Sequence, residues 1–406
     1  MSKEFHDRAL EYHRAPRPGK IYVSSHKPLE SHEELALAYT PGVAAPVREI
    51  AKDESLVYDF TAKGNLVAVV SDGSAVLGLG NVGPLAAKPV MEGKAVLFKR
   101  FADIDVFNIE VGTQDVDEFV QTVKNIAPTF GGINLEDIAA PRCFEIEKKL
   151  IDALDIPVFH DDQHGTAIII AAGLLNALEI QGKTLEEAKL VCLGAGSAGI
   201  ATLNLLCDLG LSKENILLVD KEGIVSTQSK KLSKEKSQYA AQTDKKTLSD
   251  AMQNADVFIG VAAANLVTQD MLRSMAENPI VFALSNPDPE ILPTDAHAAR
   301  EDLIMATGRS DFPNQVNNVL GFPFIFRGAL DARASKINTE MMIAAVHALK
   351  DLAKTPAPEE VLKAYNIEKL EFGKDYIIPK PFDPRLISHV PKAVFEAAKN
   401  TGVARV

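Results

Sequence analysis

The run KLVCLGAGSAGIATLNLLCDLG, residues 189–210, constrains this chain more than any other stretch. An apolar strand pattern ends at Gly194, a turn carries glycines at 194, 196 and 199, and a helical pattern follows at once. NILLVD then supplies another strand, ending on Asp220. Strand, helix and strand in that order argue for a parallel sheet built from βαβ units. The glycines fit G-x-G-x-x-G: one makes the tight turn, one lets the backbone approach a pyrophosphate at the helix N-terminus, and one allows close packing. Ser197 and Ala198 complete the turn, and Asp220, roughly 20 residues on, can accept from a ribose 2′-OH. A turn serving only to pack strand on helix is the weaker reading in this context. Asp220 favours NAD over NADP by repelling a 2′-phosphate, yet Lys221, Lys230, Lys231 and Lys234 lie close enough in sequence to reverse the preference.

Two acidic pairs precede this unit, Glu136-Asp137 after GGINL and Asp161-Asp162 after IPVFH. Carboxylates are hard oxygen ligands suited to Mg²⁺ or Mn²⁺. Neighbouring side chains on a strand point to opposite faces, so Glu136 and Asp137 can share an ion only where the chain leaves the strand, and AAP provides that exit. Asp162 can complete the set, with Asp161 as a further ligand or as a group that orients one. Taken singly, either pair serves equally well as a helix cap. HDDQH puts His160 and His164 at i, i+4, the spacing of zinc peptidases, but the second residue is Asp and the preceding IPVF reads as strand, so structural histidines are expected.

The remaining elements follow from period and punctuation. The charged and aromatic N-terminus is helical until RAPRPGK, and ELALA is a helix stopped before Pro41, leaving Tyr39 at its end facing a cavity. LVAVVS, AVLGLG, KAVLFKRF and DVFNIEV are strand candidates. EFVQTVKNIAPTF and PRCFEIEKKLIDAL read as helices, the second with Pro141 in its first turn, and ADVFIGVA and PIVFALSNP as further strands. PRLISHVPKAVFEAAKN is a closing helix interrupted at Pro391. KKLSKEKSQ reads as a solvated face.

Composition excludes several function classes. A formal charge of -12 over 406 residues leaves no concentrated basic face for nucleic acid. Cys143, Cys192 and Cys207 form no CxxC pair, which argues against a disulfide framework and for a reducing compartment. The N-terminus is too charged for a secretory signal, and AIIIAAGLLNALEI is too short to span a bilayer, so a cytoplasmic protein is expected.

Taken in order, AYTPGVAAP, DGSAVLGLGNVGP, VMEGKAVLFKRFADID, GGINLEDIAAP, FHDDQHGTA, LGAGSAG, ALSNP and Asn317-Asn318 resemble the malic enzymes of short bacterial type over nearly the whole chain. The resemblance implies an α/β fold: an N-terminal domain over 1–160, a Rossmann-type NAD(P) domain with parallel sheet over 161–385 (core about 163–316), and a C-terminal helix over 386–406. It implies oxidation of L-malate by NAD or NADP and decarboxylation of oxaloacetate to pyruvate with Mg²⁺ or Mn²⁺, in a homodimer. The general acid falls on Tyr39 and the general base on Lys94, with Asp161 beside them in the catalytic set. The metal ligands fall on Glu136, Asp137 and Asp162, and the amides that hold substrate on Asn286, which also borders the cofactor, and Asn318. Larger members carry an arginine where this chain has Ala75, so another group meets the second malate carboxylate. An oxaloacetate decarboxylase on the same scaffold is the nearest alternative, and a nonenzymatic nucleotide sensor the alternative from another class.

Overall fold

The computed structural model describes residues 3–76 and 78–406. Met1, Ser2 and Leu77, which belong to the N-terminal segment and to AVLGLG, lie outside the described residues. Two sheets organise the chain. The first holds β1 (Leu66–Ser71), β2 (Asp105–Glu110), β3 (Gly132–Leu135) and β4 (Val158–His160) in the order β2-β1-β3-β4, all parallel. The second holds β5 (Leu190–Leu193), β6 (Ile216–Asp220), β7 (Gly223–Ile224), β8 (Val257–Gly260), β9 (Ile280–Ala283) and β10 (Ile304–Thr307) in the order β10-β9-β8-β5-β6-β7, with only β7 antiparallel. Strand order reverses between β5 and β8, which places a crevice at their carboxyl ends.

Both sheets are covered on two faces, which explains runs such as LVAVVS with every residue buried. Val67 and Val69 enter one core while Leu66, Ala68 and Val70 enter the other, the two-residue alternation of a pleated strand. The Thr166–Ile180 helix is apolar almost all round, packing against both the Ser197–Asp208 and Thr339–Lys354 helices.

The C-terminal region returns to the first sheet. The Phe322–Asp331 helix lies against the Pro84–Ala102 helix, with Phe98 edge-on to Phe322 at 4.7 Å and to Phe326 at 5.3 Å between centroids. All three rings are fully buried. Burying rings of this size stabilises the fold by roughly 1.5–3 kcal/mol each.

Several sequence expectations are corrected. KAVLFKRF is not a strand but the second half of the Pro84–Ala102 helix, started by Pro84 at its N-terminus. Met91, Ala95, Phe98 and Ala102 recur at helical spacing on its buried side. Among the described residues of AVLGLG there is only an isolated bridge, between Val76 and Gly80, because glycines at 78 and 80, both with positive φ, turn the chain. Pro141 is the N-cap of the Arg142–Ala153 helix rather than a first-turn residue. The Leu386–Asn400 helix runs unbroken through Pro391, its sixth residue, with the loss of one backbone bond, and buried Leu386, Val390, Val394 and Ala398 hold it in place. A second helix, Ala44–Lys52, follows TPGV.

Candidate active site

Both acidic pairs occur where strands of the first sheet end. Glu136 and Asp137 follow β3, and Asp161 and Asp162 follow β4 in a five-residue π-helical turn, Asp161–Gly165. Glu136, Asp137 and Asp162 each bring a carboxylate oxygen within 4.8 Å of the others. Asp137 takes a left-handed φ of 54°, which turns its side chain out of the strand alternation beside Glu136. Its backbone NH donates to Asp162 Oδ2 at 2.7 Å, and its own Oδ2 is buried without a hydrogen-bond partner. Burial, then the neighbouring carboxylates, raise Glu136 well above the usual carboxylate range despite the opposing Lys94. Burial and then Asp162 push Asp137 up to about 8. Two buried carboxylates and the half-buried Asp162, with an orphaned oxygen among them, fit a divalent cation.

Lys94 reaches this cluster from the Pro84–Ala102 helix. Its Nζ contacts Asp161 Oδ2, lies 2.9 Å from Glu136 Oε1, and stands 4.5 Å from the centroid of the Phe322 ring. Burial pulls the ammonium pKa down, but Asp161 and Glu136 outweigh it and raise Lys94 above its ordinary value. Asn318 Nδ2 donates to Asp161 Oδ2 at 3.0 Å, and Thr166 Oγ1 donates to Asn318 Oδ1 at 3.1 Å. Two distant segments of the chain thus meet on one carboxylate.

Tyr39 is not gathered with them. It caps the His32–Ala38 helix, is 69% exposed, and makes no side-chain hydrogen bond among the described residues, so the expected cavity beyond that helix end is open surface. Asn286 precedes Pro287 in the loop after β9, and its carbonyl oxygen would stand 2.8 Å from a β-carbon on Gly78. The loop after β1 thereby touches the second sheet's crevice. His160 is fully buried, His164 bonds Glu147, and neither joins the carboxylate cluster found among the described residues.

At the second sheet Gly194 takes φ 117°, and a β-carbon there would fall 2.8 Å from the Val261 carbonyl at the strand-order reversal. Gly196 faces open space, the condition for close approach of a pyrophosphate. Ser197 and Ala198 begin the Ser197–Asp208 helix, whose amide end points at that space. Asp220 ends β6, accepts from Glu222 N at 2.9 Å, and is paired with Lys236 Nζ at 2.6 Å.

Sequence reasoning missed three buried charged groups. Glu147 holds the turn after β4. Glu290 accepts from Ala262 and Ser285 backbone NH groups at the ends of β8 and β9. Asp72 pairs with Arg142 at 2.9 Å, and Arg142 also donates to Ser74, next to Ala75. The i, i+3 and i+4 burial of CFEIEKKL placed Glu147 on the inner face of its helix and was the available signal.

These features define a dinucleotide-dependent enzyme with a carboxylate-lysine centre at the strand ends of the first sheet. Residues 18–151 match the model of the malic enzyme N-terminal domain, and residues 163–370 that of the malic enzyme NAD-binding domain. The chain belongs to the malic enzyme family. It is 59% identical over 397 residues to the NADP-dependent malic enzyme of Halomonas elongata, covering 98% of this chain and 94% of that protein. It is 55% identical over 404 residues to the NAD-dependent malic enzyme of Rhizobium meliloti, covering 99% of this chain but 52% of that protein; the chain spans about half the length of this and several other relatives. The malic enzyme of Pyrococcus horikoshii superposes with a TM-score of 0.88 at 48% identity, covering 99% of this chain and 92% of that one.

Proposed function

We propose that this chain oxidises L-malate with NAD(P) and decarboxylates the resulting oxaloacetate to pyruvate and CO₂, using Mg²⁺ or Mn²⁺ held by Glu136, Asp137 and Asp162. The observation that carries this reading is the contact of Lys94 with Asp161 and Glu136 inside that carboxylate set. When bound, the cation supplies Lewis acidity to the substrate's hydroxyl and later carbonyl oxygen. With the carboxylate charge taken up by a bound cation, Lys94 would give up its extra proton and could then receive the substrate hydroxyl's proton as hydride leaves for the nicotinamide. Asp161, fixed by Asn318, aims the Lys94 amine and holds the ammonium that results. Asn318 and Asn286 orient substrate carboxylate. Loss of CO₂ leaves an enolate, and Tyr39 protonates its carbon; that role rests on the family resemblance and requires the exposed N-terminal face to be covered.

A second copy is the cover we assign. The His32–Ala38 and Ala44–Lys52 helices contain no buried residue, and Leu35, Leu37, Tyr39, Val43 and Val47 stand exposed together with Tyr22 and Val23. Large apolar side chains left exposed on successive elements are what an interface covers, and light scattering that returns a monomer mass removes the homodimer. For the cofactor, Lys236 offsets the Asp220 charge where the adenine ribose would rest, which supports NADP over the NAD preference that Asp220 alone suggests. Three cysteines without a disulfide suit a reducing, cytoplasmic setting, and no helix among the described residues is long and apolar enough to cross a membrane. The test is an initial-rate assay with malate and each nicotinamide cofactor, with and without chelator. No malate-dependent, cation-dependent reduction of either cofactor overturns the reading, and cofactor-free CO₂ release from oxaloacetate alone selects the decarboxylase.

A further inference from the structure

The turn that carries Asp161 and Asp162 must send consecutive carboxylates to different partners. Asp161 Oδ2 meets Lys94 and Asn318, while Asp162 Oδ2 accepts from Asp137 NH. A π-helical turn is wide enough to do this, and such turns are uncommon in the absence of a specific constraint. Gly165 closes it without a side chain: a β-carbon there would fall 1.9 Å from Asp161 Oδ1. Thr166 NH closes the turn on the Asp161 and Gln163 carbonyls.

Glu147 supplies the constraint from behind. Glu147 is 6% exposed, and its carboxylate accepts from His160 NH at 3.0 Å and Gln163 Nε2 at 3.1 Å and lies 3.0 Å from His164 Nε2. Those three groups bracket Asp161 and Asp162 in sequence. A buried carboxylate is costly unless it is fully bonded, and every side-chain bond of Glu147 goes to this one turn. Its helix, Arg142–Ala153, is anchored in the first sheet's core through Cys143, Ile146 and Leu150.

We propose that Glu147 is a positioning residue that sets the aim of the Asp161–Asp162 turn, and through it the affinity of the carboxylate set for a divalent cation. The proposal rests on the cation reading given above. A carboxylate only accepts hydrogen bonds, so it serves all three donors, whereas the amide of Glu147→Gln turns an NH₂ toward at least one of them while keeping the shape.

The test is Mn²⁺ binding, followed by electron paramagnetic resonance on the full chain, in wild type, E147Q and D162N, with nicotinamide cofactor binding measured on the same samples. Groups that orient metal ligands typically contribute a factor of about 10–100 in affinity. E147Q is expected to lose Mn²⁺ affinity in that range while the cofactor dissociation constant moves less than about twofold. Mn²⁺ binding that D162N loses and E147Q keeps overturns the role of Glu147 alone. No Mn²⁺ binding by wild type overturns the cation reading as well. Should E147Q fail to fold, Gln163→Met removes one donor and leaves the carboxylate paired; it is expected to weaken Mn²⁺ binding about threefold, and unchanged affinity there also overturns the proposal.

Discussion

A β-carbon on Gly199 would fall 1.9 Å from the carbonyl oxygen of Gly194, whereas the same addition to Gly196 meets nothing within 4 Å. One glycine of the turn is therefore required by the protein's own packing, and another leaves room for a ligand. Gly199→Ala is expected to lower stability by about 1–3 kcal/mol, the usual range for overpacking. Gly196→Ala is expected to leave the melting temperature nearly unchanged and to weaken cofactor binding about tenfold, since its extended backbone suits any residue. Thermal melts and fluorescence titrations of the two variants check both halves, and the reverse pattern contradicts the assignment.

Among the described residues, Lys94 is the one lysine or arginine paired with the carboxylate set. Lys94→Ala is expected to cut turnover by about 10²–10⁴-fold while the cofactor dissociation constant, set at the other sheet, holds within about twofold. Stopped-flow turnover and cofactor titration decide it; turnover retained at the wild-type rate excludes Lys94 as the base.

The pH dependence follows from Asp137, pushed up to about 8 by burial and by Asp162. Because its folded pKa lies above the unfolded value of about 3.9, the folded cation-free protein binds the extra proton. Stability from this group is complete below about pH 4 and is lost as pH rises through about 8. A cation requires the ionised form and releases that proton. The melting-temperature gain from Mn²⁺ should therefore grow between about pH 6 and about pH 9, and a gain that is flat across that range would count against the assignment.

Lys236→Gln leaves Asp220 without its counter-ion at 2.6 Å. The ratio of kcat/KM for NADP to that for NAD is expected to fall about tenfold, as a charge-assisted phosphate contact is lost and a repulsive carboxylate freed. An unchanged ratio means that neither residue faces the adenine ribose.

Residues whose chemistry needs a local conformation were legible in the sequence. The glycine turn, Asp220 at a strand end and the acidic pairs just past β3 and β4 all follow from period and punctuation. Lys94 was misplaced locally, because KAVLFKRF has enough β-branched and aromatic residues to pass for a strand; the helix wins through packing of Met91, Ala95 and Phe98, which no local propensity records. Tyr39 and Lys94 became candidates only through family resemblance, since a tyrosine beside Thr-Pro and a lysine in a helix are ordinary. Asn318 lies 157 residues from the Asp161 it bonds, and a separation of that size is invisible to any window of sequence. The same holds for Arg142 with Asp72 and for Glu147 with His160.

The seating of Phe322 and Phe326 against Phe98 has a consequence for synthesis on the ribosome. Although the four strands of the first sheet are all translated by residue 160, the rings that cover its outer helix emerge more than 160 residues later. The nascent first half must wait with an uncovered aromatic ridge, so a gene cut at the border between the two sheets would yield a fragment that seeks another cover.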